Sequence, residues 1–102
     1  MKESCKAYLD EQFGGDADVV NEIYGEYVSS VGEKLAEAEA ALSAGEWDVL
    51  DKVAHAVKGN ALSAGDQDMA DVAIALRSAA KLQERERSAQ LIGDMGGFAA
   101  QL

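Results

Sequence analysis

A chain of 102 residues with 48% hydrophobic content can bury one modest core, which suits a single domain, 1–102, and leaves no room for a second. Its formal charge of −10 and pI near 4.3 repel nucleic acid and anionic lipid, so electrostatically driven DNA, RNA or membrane-surface binding is excluded. The lone Cys5 has no partner for an internal disulfide, the N-terminus has no signal-peptide run, and no segment approaches the roughly 20 apolar residues of a membrane span; a cytoplasmic monomer is the simplest reading.

Zero prolines and ten glycines gathered mostly near segment ends predict helices joined by short turns. The first spans about Lys2 to Phe13, with Cys5, Tyr8, Leu9 and Phe13 at helical spacing, and stops at Gly14-Gly15. Asp16 is placed to cap the second, whose apolar positions Val20, Tyr24, Tyr27, Val31, Leu35, Ala38 and Leu42 step by three or four residues up to Ser43-Ala44-Gly45. The third starts around Glu46, buries Leu50, Val53, Ala54, Val57, Ala61 and Ala64, and closes at Gly65. The fourth runs from about Gln67, with Met69, Val72, Ala73, Leu76 and Ala80 inward, up to the charged stretch Gln83 to Arg87. The last uses Leu91, Ile92, Met95, Phe98, Ala99 and Leu102. Gly93, Gly96 and Gly97 weaken it by up to about 1 kcal/mol each relative to alanine, so its end is expected to fray. Short connections between amphipathic helices favour antiparallel neighbours. The expected fold is therefore all-α, an up-down four-helix bundle with the short first helix as a cap.

The chain's only histidine, His55, lies on the third helix. At 100° per residue it falls about 150° from the centre of the apolar stripe, so it faces solvent rather than the core. Asp48, Asp51, Gly59 and Leu62 share its face, and Lys52 and Lys58 flank it. Gly59 stands where alanine would make the more stable helix, which suggests that something approaches the backbone there. Leu62 offers an exposed apolar spot of the kind a docking surface uses. Lys58, one turn after His55, reaches the same side and can neutralise phosphoryl oxygens as a point charge. A neutral imidazole is nucleophilic near physiological pH, since the unperturbed side-chain pKa is about 6.5. From spacing alone, a solvated surface histidine is the commoner meaning of such a position. One histidine with scattered carboxylates makes no closed metal site, and an acyl carrier would need an Asp-Ser-Leu triplet that this chain does not contain.

The run Ala54-His55-Ala56-Val57-Lys58-Gly59-Asn60-Ala61-Leu62-Ser63-Ala64-Gly65 resembles the signature of the histidine-containing phosphotransfer (HPt) domain family: histidine, any residue, an aliphatic residue, Lys-Gly, then small residues ending in glycine. The resemblance extends upstream through Leu42-Ser43-Ala44-Gly45-Glu46-Trp47 and Phe13-Gly14-Gly15-Asp16, and downstream to Met69 and Leu76, covering about Leu9 to Leu82. It implies that His55 is the phosphoacceptor, that Lys58 assists the phosphoryl group and that Gly59 leaves room for a partner, with Asp51, Lys52 and Leu62 as contact surface.

The function so implied is that of a phosphocarrier without its own nucleotide site, not an enzyme. It would exchange phosphoryl with the aspartate of response-regulator receiver domains, with a hybrid sensor kinase upstream. No cofactor is expected on this chain, and Mg2+ is expected on the receiver. Two alternatives accompany this reading: the phosphoacceptor domain of a chemotaxis-type kinase, and a non-phosphorylated interaction module that binds receivers. Two departures from the family pattern stand out. Arg77 occupies a position where the family often has glutamate, which counts against the chemotaxis-type alternative. Ala64 replaces a larger aliphatic residue, for which a small loss of packing is expected.

Overall fold

In the computed structural model, which describes residues 1–102, five helices and no strand follow one another: α1 Glu3–Gln12, α2 Ala17–Ala44, α3 Trp47–Ala64, α4 Gln67–Lys81 and α5 Arg85–Ala99. At 1.5 Å per residue the 28 residues of α2 extend about 42 Å, which accounts for the 43 Å longest dimension of the molecule. α2 packs against α3 and α5, and α4 packs against α3 and α5, so the four long helices close a ring; α1 lies against α2 and α3.

Local chemistry sets the boundaries. The Asp16 carboxylate accepts the Asp18 and Val19 N–H groups at the start of α2, satisfying donors that a helix N-terminus leaves free. α2 and α3 both end in a left-handed glycine, Gly45 and Gly65. In each case the glycine and the next residue donate back to the carbonyls of the last turn, Glu46 to Ala41 and Asp66 to Ala61, the Schellman arrangement. α4 ends the same way, with Glu84 donating to Ala79, but the left-handed position is held by Gln83 at φ 54°. A side chain there costs on the order of 1 kcal/mol, and the absence of glycine is why the sequence marks this turn only by its charge. The charged stretch is also more than a connector. α5 already begins at Arg85, whose guanidinium donates to the Leu42 carbonyl at 2.8 Å and lies 5.5 Å from the Trp47 ring centroid. It fastens the α4–α5 turn onto the α2–α3 turn.

The predicted stripes of α3 and α4 are all buried. Ala64 is buried among them, and its small side chain lies at the floor of an open groove between α2 and α3, in keeping with the expected small loss of packing. On α2, Val20, Tyr24, Tyr27, Val31 and Ala38 are buried, whereas Leu35 and Leu42 are only partly covered by the core. On α1, Cys5 and Leu9 are buried but Tyr8 and Phe13 remain exposed, because a short helix across one end of a bundle has only one face to cover. Burial is also what raises the pKa of the Cys5 thiol. α5 ends at Ala99; beyond it Gln101 donates to Phe98 and Leu102 to Ala99, and the Tyr24 hydroxyl donates to the Leu102 carbonyl at 2.9 Å, contacts that oppose the fraying expected from the glycines.

The α1 end is closed by a buried polar cluster. The fully buried Asp66 accepts from Lys2 Nζ at 2.6 Å and from the Tyr27 hydroxyl at 2.6 Å, and its other contact is the Met69 N–H at the start of α4. Burial, then the hydrogen bond to Asp66, pushes the Tyr27 phenol far above its ordinary pKa. Lys2 is also raised: burial works to lower it, but hydrogen bonds to Asp66 and Asp68 outweigh that effect. Gly65 is required twice here, by its φ of 74° and because a Cβ would collide with the Tyr8 side chain.

Candidate functional site

α3 carries His55 midway along its length, exposed to solvent, as the 3.6-residue periodicity requires when Ala54 and Val57 point into the core. The rest of the predicted set is arranged around it along the same helix. Asp51 is one turn before it and partly buried; Lys52 is exposed; Lys58 and Gly59 follow one turn later, and Leu62 after that is 44% exposed. A Cβ built at Gly59 would meet nothing within 4 Å. No packing within the chain requires a glycine there, and the bare backbone patch opens outward.

α4 contributes a second row that the wheel of α3 cannot show. Arg77 bridges the two helices: its Nε donates to Asp51 Oδ1 at 3.0 Å and its Nη1 contacts His55 Nδ1 at 3.0 Å. A guanidinium has five donors and no acceptor, so Nδ1 is the acceptor in this contact. Asp51, which the sequence presents as free contact surface, is therefore engaged as the anchor of Arg77. Beside this bridge lies an open cleft of about 270 Å³ lined by Lys58, Ile74, Arg77, Ser78 and Lys81. Lys58 takes part in none of the five ion pairs of the molecule, so its ammonium is free to meet an anion. Lys58 and Lys81 are unpaired while Arg77 is compensated by Asp51, so the cleft carries a local positive charge on a chain of net charge −10, and such a patch favours a phosphoryl group or an acidic partner surface. Ile74, 49% exposed, adds an apolar element to the same cleft.

The other flank of α3 differs. A groove of about 260 Å³ between α2 and α3 is bordered by Glu26, Ser30, Asn60 and Ser63 and holds no cation; within it Asn60 donates to Ser30 at 2.9 Å. Charge thus distinguishes the two sides of the histidine helix.

In the sequence Arg77 stands out only as a departure from a pattern, and Ile74, Ser78 and Lys81 escape notice. A signal was present: residues 74, 77/78 and 81 recur at three and four, one step around the wheel from the buried Val72, Ala73, Leu76 and Ala80. What periodicity could not supply was that this edge of α4 borders the His55 face.

No group of three or more His, Cys, Asp or Glu side chains converges anywhere in the molecule, and no helix is long and apolar enough to cross a membrane. Residues 22–102 match the family model of the Hpt domain. The match extends through α5, beyond the span of the signature resemblance, and begins after the Phe13–Asp16 entry. No curated protein and no solved structure gives a significant match.

Proposed function

Because the chain belongs to the Hpt domain family, whose members carry phosphoryl groups on histidine in two-component phosphorelays, we propose that His55 is the phosphoacceptor and that it exchanges phosphoryl with the aspartate of receiver domains. The observation that carries this reading is the exposure of the sole histidine on α3, with the unpaired Lys58 and the open Gly59 one turn away. A nucleophile so placed can be reached by a partner's active site, and phosphoryl transfer depends mainly on alignment and charge neutralisation. On this reading Lys58 meets the phosphoryl oxygens, Gly59 admits the partner backbone, and Lys52, Leu62 and Ile74 border the contact. The Mg2+ belongs to the receiver, and the chain is a carrier with no cofactor of its own. It works in the cytoplasm as a monomer, downstream of a hybrid sensor kinase, on an antiparallel up-down bundle whose ring of neighbouring helices and short turns supports that arrangement.

The test is incubation with a phosphorylated receiver and Mg2+. Acid-labile, base-stable label is expected on this chain and absent from His55→Gln. Leu62→Asp is expected to slow transfer while leaving the denaturation midpoint unchanged; transfer at the wild-type rate would remove Leu62 from the docking face. A second reading, a non-phosphorylated receiver-binding module, is favoured by one observation, the Arg77 contact that occupies a ring nitrogen of His55. Receiver binding with no label from any donor selects that reading.

A further inference from the structure

We infer that Arg77, anchored by Asp51, sets the tautomer of His55 and acts as a latch that slows both loading and loss of the phosphoryl group; this rests on His55 being the phosphoacceptor. The geometry is a relay across two helices, Asp51 Oδ1 to Arg77 Nε at 3.0 Å and Arg77 Nη1 to His55 Nδ1 at 3.0 Å. The ion pair is sheltered, its side chains being 28% and 27% exposed, so the guanidinium is held in a defined orientation. Because arginine stays protonated and can only donate, the contact requires a lone pair on Nδ1, and the proton of the neutral ring then sits on Nε2.

That pattern has opposite consequences for the empty and the loaded ring. In the empty ring the Nε2 electron pair that would attack phosphorus is committed to the N–H bond. Loading therefore requires Arg77 to leave Nδ1 and the ring proton to move there. The Nε2–P bond then forms as the P–O bond of the aspartyl phosphate breaks, its electron pair leaves on the carboxylate, and the Nδ1 proton passes to water. The loaded ring carries phosphoryl on Nε2 and a bare Nδ1, to which Arg77 can donate again. Loss of phosphoryl is easiest when Nδ1 is protonated, since the departing ring is then a neutral imidazole rather than an imidazolate. Arg77 occupies that position. The charged groups that share this face are Asp48, Asp51, Lys52 and Lys58 on α3 and Arg77 and Lys81 on α4; among them only Arg77 makes a hydrogen bond to the ring.

A glutamate at position 77 would accept from Nδ1–H and leave the Nε2 pair free, the reverse preference. The Arg77 side chain therefore trades speed of loading for persistence of the loaded state.

The test uses the whole chain at one fixed neutral pH, with Arg77→Met, which removes the donor, and Asp51→Asn, which loosens the anchor without touching the ring. Long-range 1H–15N NMR of the sole histidine reads the tautomer directly. The wild type is expected to be predominantly Nε2–H, with a mixed population in Arg77→Met and an intermediate one in Asp51→Asn. With phosphoramidate as donor, Arg77→Met is expected to load about tenfold faster and to hydrolyse about tenfold faster, the scale of one hydrogen bond to a charged group. Equal tautomer populations, or equal rates in both directions, in folded wild type and Arg77→Met overturn the latch and leave the proposed function standing. No phosphohistidine from phosphoramidate or from any receiver overturns the proposed function and the latch together.

Discussion

Two clusters in this molecule use the same ingredients to opposite ends. At the α1 end, Lys2, Asp66 and Tyr27 form a cation, a carboxylate and an aromatic donor around a fully buried oxygen pair. Along the α3–α4 face, Arg77, Asp51 and His55 form a cation, a carboxylate and an aromatic acceptor at the surface. The first joins residues 64 and 39 positions apart and closes the bundle; the second joins neighbouring helices and leaves a ring nitrogen exposed. The difference is one of solvent. A fully buried charge must keep its partners, whereas a partly sheltered one is oriented by its partner yet can still exchange it for water or a ligand at a lower cost.

The comparison can be broken most directly at Asp66. Asp66→Ala strands the Tyr27 hydroxyl, leaves Lys2 with Asp68 alone and removes the α4 cap, for an expected loss of about 3 kcal/mol in urea unfolding. Asp51→Asn on the other cluster is expected to cost less than about 1 kcal/mol. Equal losses would show that exposure does not separate the two clusters.

Glycine substitution sharpens the contrast. Gly65→Ala meets both a left-handed backbone and the Tyr8 side chain, and is expected to destabilise by roughly 1–3 kcal/mol. Gly59→Ala enters open space on a regular helix and is expected to stabilise by up to about 1 kcal/mol while slowing phosphotransfer from a receiver. A stabilised variant that transfers at the wild-type rate would remove the access role of Gly59.

The smallest effect is alkaline. Tyr27 and Lys2 both have folded pKa values above their unfolded ones. Each group therefore contributes stability that is complete below about pH 10, the unfolded range, and that declines as pH rises toward the folded values. Urea midpoints between about pH 9 and 11 are expected to fall, and the fall is expected to be weaker in Tyr27→Phe.

Much of this is legible in the amino-acid sequence. Five helices, the buried stripes of α3 and α4, the turns at Gly45 and Gly65 and the outward face of His55 all follow from a period of 3.6 and from left-handed glycines, which are properties of a few consecutive residues. The wheel could place Asp51 and Lys58 around His55 because all three share one helix. It could not place Arg77 there, nor bring Lys2 to Asp66, nor anchor Leu102 on Tyr24. Those contacts depend on which edge of one helix faces which edge of another, and that register is settled by packing the whole core at once. The sequence alone thus determined the helices and the exposed histidine; only the tertiary structure decided that the histidine has a cation on one nitrogen.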